Sequence, residues 1–85
     1  MLEKIKFSDH ALEQMKERGV SRQEVEEAIR KGETVPAKKG RLAFRHNFQY
    51  NKEWANKYFS IKQVVPIVTI EDVEYIVVTV YVFYF

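Results

Sequence analysis

Apolar residues recur at helical spacing in the first third of the chain. Between residues 7 and 19, positions 11, 12 and 15 are apolar and form one stripe, which predicts a first helix. Ser8 or Asp9 is the expected N-cap, because their side-chain oxygens can accept the free N–H groups of a first turn. Gly19 is the expected end of this helix.

A second helix is predicted directly after the first one. The letters SRQE at 21–24 form a capping box, in which Ser21 caps the helix and Glu24 reaches back to it. Positions 25, 28 and 29 are apolar and predict the buried side, and Gly32 is the expected end.

The pattern then changes to the alternation that is typical of strands. In RLAFRHNFQY, at 41–50, positions 42, 44, 48 and 50 share one face, and NKEWANK after it predicts a loop or a hairpin end. Residues 58–70 are extended, and Pro66 predicts an edge, a bulge or a bend because it cannot donate to a ladder. EDVE is a predicted turn, and EKIKF at 3–7 predicts an edge strand.

The last segment, YIVVTVYVFYF, is apolar at almost every position, so it is the expected central and most buried strand. Its Phe83 is expected in the core, as are Phe44, Phe48 and Phe59. Together the elements predict one domain over residues 1–85 with an α+β fold. Two N-terminal helices would pack on a three- to five-stranded, mainly antiparallel sheet and cover its apolar face.

The first helix carries a polar row beside its apolar stripe. His10, Gln14 and Arg18 follow one another at four-residue steps, which places them along one flank of the helix. They are expected to border the helix–sheet interface, where a flank residue can line a cleft. A purely structural role, in which Arg18 covers core residues or binds the last carbonyls of its helix, is the alternative.

Charge is distributed unevenly behind a net charge of +2. Residues 30–62 carry nine basic groups against Glu33 and Glu53, whereas the segments on either side are acidic. A basic middle suits phosphate or an acidic partner protein, or is simply a solvated face. The lack of cysteine suits a cytoplasmic protein, no signal peptide is apparent, and the interrupted C-terminal apolar run is too short for a membrane helix.

The candidate chemistry is one that needs neither a metal nor a cofactor. The two histidines lie 36 positions apart without metal-ligand spacing, and no glycine-rich phosphate loop is present. Cleavage of RNA by its own 2′-hydroxyl requires an acid–base group and cations around the phosphate. The side chains available for it are His10, Arg18, Arg41, Arg45, His46, Thr79 and Tyr81.

Two stretches resemble a known family. The segment IKFSDHALEQMKERGVSRQEVEEAIRKGE and the later IVVTVYVF are similar to the bacterial and archaeal domain of unknown function 4258. The resemblance implies an α+β fold like that of RelE/ParE-type toxins and barnase-like nucleases. It also implies His10, Arg18 and Thr79, with Tyr81, as the catalytic positions.

One geometric condition decides whether these positions can act together. Strict alternation puts Thr79 and Tyr81 on the same face of the last strand as Tyr75 and Val77. If that face lies under the first helix, Thr79 can approach the flank of His10 and Arg18. If it is the opposite face, the constellation does not form.

Three functions follow as hypotheses. The first is a toxin-like, metal-independent ribonuclease, with RNA as substrate and an antitoxin protein as partner. The second is a non-catalytic nucleic-acid- or protein-binding module that contacts phosphate through Lys38, Lys39, Arg41 and Arg45. The third is an assembly protein that forms a homodimer through the C-terminal strand, which ends in YVFYF.

Overall fold

The computed structural model describes residues 4–85 as two helices and a five-stranded sheet. Strand β1 leads into helices α1 and α2, and a short 3₁₀ turn separates the second strand from the third. The bounds are β1 Lys4–Phe7, α1 Asp9–Arg18, α2 Arg22–Lys31, β2 Glu33–Pro36, the 3₁₀ turn Lys38–Gly40, β3 Leu42–Trp54, β4 Lys57–Glu71 and β5 Glu74–Tyr84.

The sheet has the order β1-β5-β4-β3-β2. Strand β1 is parallel to β5, and the other three pairings are antiparallel. The α+β prediction is therefore confirmed, with five strands in a mainly antiparallel sheet. The predicted N-terminal edge strand is also confirmed over the described residues of β1, at one edge of the sheet.

Both helices pack on the same face of the sheet. The core between them contains Ala11 and Met15 of α1, Val25, Ala28 and Ile29 of α2, and Phe44, Val64, Val68, Val77 and Val80 of the strands. Each fully buried valine contributes about 2 kcal/mol of hydrophobic stabilisation. Within residues 4–85 no element covers the opposite face, which is called the open face below.

The helix boundaries follow the predicted caps. The Ser8 hydroxyl accepts the Ala11 N–H at 3.0 Å, and Gly19 ends α1 in the left-handed conformation, with φ of 72°. Ser21 and Glu24 form the predicted capping box of α2. The short GVS connection between the two helices is therefore fixed by the left-handed backbone of Gly19 and by the Ser21 cap.

Pro66 lies in an interior strand, not at an edge. Ile61 exchanges both backbone hydrogen bonds with Phe85, so by alternation the even-numbered residues of this part of β4 face β3. Pairing with β3 is interrupted opposite Pro66, between the pairs Ala43–Ile67 and His46–Val64. The missing donor thus coincides with a gap in the ladder.

The last strand is interior but not buried on both faces. Phe83 is 48% exposed on the open face, so its predicted place in the core is wrong. Phe44 is buried and Phe48 packs against the core, as predicted. The apolar residues of β5 thus lie on both faces of the sheet, the one that the helices cover and the open face.

The polar interruption NKEWANK is the end of a long hairpin. Strand β3 runs to Trp54, and β4 begins at Lys57. The Trp54 ring stacks on Tyr84 with 5.1 Å between ring centroids, and Tyr50 and Phe59 pack around the same tyrosine. This aromatic contact docks the hairpin end against the C-terminal strand.

Candidate functional site

Helix α1 covers the outer edge of β5 with its polar flank. Strand β1 ends at Phe7, paired with Val77, so the outer edge of β5 has no strand partner among the described residues beyond that point. The Ser8 hydroxyl donates to the Val78 carbonyl at 3.2 Å. Gln14 Oε1 accepts the Val80 N–H at 3.0 Å, and Arg18 Nη1 donates to the Val80 carbonyl at 2.6 Å.

The flank residues thus border the sheet, but their roles differ. Gln14 and Arg18 satisfy backbone groups that would otherwise be left unpaired at a strand edge. His10 is exposed and lies four residues, about 6 Å along the helix axis, before Gln14. Among residues 4–85 its ring has no hydrogen-bond partner.

A β-bulge decides which way Thr79 points. Ile67 pairs with Thr79 and Val68 pairs with Val77, so Val78 is the extra residue. Beyond the bulge the alternation is reversed: Val77 is in the core, whereas Thr79 shares the open face with Tyr81. The expectation that Thr79 and Tyr81 share a face with Tyr75 and Val77 is therefore wrong.

Thr79 nevertheless reaches α1. Its hydroxyl donates to Gln14 Oε1, the same oxygen that accepts the Val80 N–H. This is possible because Thr79 lies beyond the end of β1, on the part of the β5 edge that α1 covers. The structure therefore joins Thr79 to the polar flank through Gln14, a residue of the row that carries His10 and Arg18.

The open face carries a concave site, called the open-face pocket below. Its volume is about 330 Å³, and Arg18 lies beside it, with its guanidinium carbon 5.5 Å from the centroid of the Tyr81 ring. Five of the predicted site residues are among its lining residues. These residues are Ala37, Lys38, Lys39, Arg41, Ile67, Thr79 and Tyr81.

The turn 38–40 places the lysines at the pocket. Lys39 and Gly40 both adopt the left-handed conformation, with φ of 62° and 71°. Ala37 N–H donates to the Arg41 carbonyl at 2.9 Å and closes the turn. This compact loop brings Lys38, Lys39 and Arg41 to the wall of the pocket opposite β5.

Two predicted residues lie elsewhere. Arg45 is not a lining residue, and its guanidinium donates to Glu33 at 2.5 Å across the β2–β3 pairing. His46 lies 3.6 Å from Glu27 and packs edge-on to Phe48, on the side of the sheet that the helices cover. Neither residue belongs to the constellation around Thr79.

Comparison with known proteins agrees with the arrangement of helices and late strand. Residues 7–82 match the family described as Domain of unknown function (DUF4258). The chain belongs to this family. No curated protein and no solved structure matches the chain significantly. The likeness of this DUF4258 domain to RelE/ParE-type toxins and barnase-like nucleases therefore stays a prediction.

A second cleft of the DUF4258 domain lies on the helix side, with a volume of about 600 Å³. Its most unusual residue is Lys62, which is 4% exposed. Lys62 Nζ donates to both Glu24 carboxylate oxygens, at 2.9 and 3.1 Å, and to the Gly19 carbonyl at 2.5 Å. An ammonium has three protons, and these three hydrogen bonds use all of them. They hold the connection between α1 and α2 to β4.

Sequence reasoning missed Lys62, although a signal was present. Lys62 occupies the same strand face as Val64, Pro66 and Val68, all of which are buried. A charge at an inward position needs a partner, and Glu24 supplies it. In this domain the pair fixes the fold, so the larger cleft is the weaker candidate for a functional site.

The DUF4258 domain carries no group of three His, Asp or Glu side chains suited to a metal ion within residues 4–85. Neither described helix is long and apolar enough to cross a membrane.

The pKa of Tyr84 is raised to about 12 by burial and by the nearby Tyr50 and Glu24. Its hydroxyl donates to the Arg18 carbonyl at 2.7 Å, next to the end of α1.

Proposed function

We propose that this DUF4258 domain is a metal-independent ribonuclease that binds single-stranded RNA at the open-face pocket. The observation that supports the proposal most is the meeting of cations from the 38–41 segment with two hydroxyl residues of β5. Lysine and arginine side chains bind phosphate oxygens and stabilise the charge that develops on the phosphorus. These groups lie about forty positions apart in the sequence, and among the described residues no side-chain hydrogen bond or ion pair joins them.

The surface beside the pocket also suits a single strand. Tyr81 and Phe83 are 45% and 48% exposed on the open face. Exposed aromatic rings on a sheet can stack unpaired bases, and a basic rim follows the phosphate chain. Double-stranded nucleic acid would hide its base faces from these rings.

In the proposed reaction the 2′-oxygen attacks the adjacent phosphorus. A bond forms between O2′ and phosphorus, and the bond from phosphorus to O5′ breaks. The 2′-hydroxyl loses its proton to a base, and the leaving O5′ gains one from an acid. His10 is the proposed acid–base group, because it is exposed one turn from Gln14, the residue that holds Thr79.

Lys38, Lys39 and Arg41 would neutralise the phosphate. Arg18 already donates to the backbone of Val80, so its role would be to place positive charge over the Tyr81 ring. The Tyr81 hydroxyl would donate to a phosphate oxygen. Arg45, which is bound to Glu33, would contribute to the general basic field only.

The test is cleavage of a labelled single-stranded RNA by the purified protein in the presence of a chelator. We expect the wild type to cleave, and His10→Ala and Arg41→Gln each to lose activity by about 100-fold or more. Lys57→Gln is the matched control, because Lys57 is exposed at the hairpin end and lies outside the pocket. Equal, background cleavage by the wild type and His10→Ala would sink the enzyme proposal.

The alternative is a non-catalytic RNA-binding module on the same surface. It is favoured by the exposed ring of His10, which no contact among the described residues orients. Binding that weakens steeply with salt, without any cleavage, would support this alternative. A toxin role would add growth arrest on expression, relieved by an antitoxin protein.

Self-association is a second candidate function, favoured by the exposed apolar end of the chain. Phe83 and Phe85 are 48% and 59% exposed, so two copies could bury them against each other. Light scattering of the wild type and of Phe85→Ser would detect such a dimer. Val73→Ser is the matched control, because Val73 is 71% exposed at the turn between β4 and β5.

A further inference from the structure

The orientation of the Gln14 side chain is fixed by the backbone of β5. The side-chain atom of Gln14 that faces β5 lies 3.0 Å from the Val80 nitrogen. A backbone N–H can only donate, so the facing atom must be the amide oxygen and cannot be the amide nitrogen. The same oxygen contacts the Thr79 hydroxyl.

The direction of the hydrogen bond between Thr79 and Gln14 follows from this orientation of the Gln14 amide. Oxygen Oε1 of Gln14 has no proton, so Thr79 must supply the proton of their hydrogen bond. A hydroxyl has one proton and two lone pairs. Thr79 can therefore only accept a hydrogen bond from any molecule in the open-face pocket that it lines.

A phosphodiester cannot satisfy this requirement, because its free oxygens are acceptors too. The family resemblance implies Thr79 as a catalytic position, but this orientation excludes a direct hydrogen bond from Thr79 to a phosphate oxygen. Tyr81, two residues further along the same face, has no hydrogen-bond partner for its hydroxyl among the described residues. It remains free to donate to phosphate, as do the cations on the opposite wall.

The spacing of the two residues fits the two halves of one nucleotide. Residues i and i+2 of a strand lie roughly 7 Å apart. In RNA the ribose 2′-hydroxyl is the donor adjacent to the 3′-phosphate, so a phosphate near Tyr81 and Arg41 brings that hydroxyl towards Thr79. DNA has no donor at this place and would leave the Thr79 lone pairs unpaired.

We infer that Thr79 is a specificity-determining residue, held by Gln14 as an acceptor for the ribose 2′-hydroxyl, so that the open-face pocket prefers RNA to DNA. The inference rests on the proposed binding of a nucleic acid at this pocket. It assigns the sugar contact to Thr79 and the phosphate contacts to Tyr81, Lys38, Lys39 and Arg41. It describes the bound RNA before the 2′-hydroxyl gives up its proton, and it does not depend on whether the RNA is cleaved.

The experiment compares the affinities of the full chain for two probes, an oligouridine and the 2′-deoxy oligomer of the same sequence and length, by fluorescence anisotropy. We expect the wild type to bind the RNA about 5-fold more tightly than the DNA, a factor that corresponds to the net contribution of one neutral hydrogen bond. Thr79→Val should bind both probes with the affinity that the wild type has for DNA. Thr79→Ser and Gln14→Glu keep the hydroxyl and its acceptor, so each should keep the preference.

The outcomes separate the inference from the proposed function. Equal binding of both probes by the wild type, or an unchanged RNA preference in Thr79→Val, overturns the inference and leaves nucleic-acid binding in place. No binding of either probe overturns both. Circular dichroism of each variant verifies the fold, and the RNA-to-DNA ratio is a readout that a merely structural loss would not change.

Discussion

At the scale of single residues, a polar side chain of this domain is available to bind a ligand only if its hydrogen-bonding atoms have no partner within the domain. Lys62 is charged and lies by a cleft, yet all three of its protons have partners. Arg45 is paired with Glu33 through one guanidinium N–H. Tyr81, Lys38 and Lys39 are exposed instead, so they remain able to bind something else. The open-face pocket is therefore a better candidate for a functional site than the larger cleft.

Gly19 and Gly40 offer a matched pair for a prediction on stability. Both have a positive φ, of 72° and 71°, which costs about 1 kcal/mol for an alanine. A Cβ at Gly19 would lie 2.5 Å from the Trp54 ring, whereas a Cβ at Gly40 would meet nothing within 4 Å. We expect Gly40→Ala to lower the free energy of unfolding by about 1 kcal/mol and Gly19→Ala by about 3 kcal/mol.

Urea denaturation followed by the fluorescence of Trp54 measures both variants. Since Trp54 is the only tryptophan, its native emission should shift in Gly19→Ala and stay unchanged in Gly40→Ala. Equal losses of stability in the two variants would show that the Trp54 ring moves aside without cost.

The residues whose roles could be predicted from the sequence are those whose partners lie within a few positions of them. Ser8, Gly19 and the pair Ser21 and Glu24 act within a few positions of themselves, so their caps were predictable. The direction of Thr79 was not, because a bulge at Val78 depends on how β4 and β5 pair. One inserted residue reverses the face of the sheet to which every later side chain of the strand points. Thr79 and Tyr81 therefore point to the open face.

At the scale of elements, α1 has two separate tasks. Its apolar stripe packs on the core, and its polar flank takes the place of a strand along the outer edge of β5. An edge with unpaired backbone groups invites association with other chains, and the flank prevents this over Val78 to Val80. The row of polar residues was visible in sequence, but its partner was not, because nothing local fixes where β1 ends.

Tyr84 links the end of α1 to β5 and leads to a prediction on pH. Its pKa is raised from about 10 to about 12, chiefly by burial, so folding favours the neutral phenol. A raised folded-state pKa gives stability that is fully present below pH 10 and is lost as the pH rises towards 12. The phenolate could no longer donate to the Arg18 carbonyl.

The prediction compares the wild type with Tyr84→Phe. Below pH 10, Tyr84→Phe should be less stable by about 1 kcal/mol, because it lacks one hydrogen bond. The difference should shrink as the pH rises through the window from 10 to about 12. Urea denaturation across this range measures it, and a difference that stays constant would contradict the assignment.

At the scale of the whole molecule, the usable charge is smaller than the formal charge. The basic middle third sums to +7, but Arg45 and Lys62 are bound to Glu33 and Glu24, and Arg30 lies 3.9 Å from Glu26. The cations that line the open-face pocket lie where the 3₁₀ turn meets β3. Charge counts along the sequence could indicate a phosphate-binding region, but only the ion pairs show which part of it is available.

This reduced count predicts the salt dependence of RNA binding. If Lys38, Lys39 and Arg41 each neutralise one phosphate, the logarithm of the binding constant should fall with the logarithm of salt concentration at a slope of about −2. Replacing Lys39 by glutamine removes one contact, so the slope should become less steep by about 0.7. Lys57→Gln should leave the slope unchanged, because Lys57 lies at the hairpin end, over the Phe59 ring. A slope near −5 would mean that other cations of the middle third also bind the RNA, and the contact surface would then extend well beyond the open-face pocket.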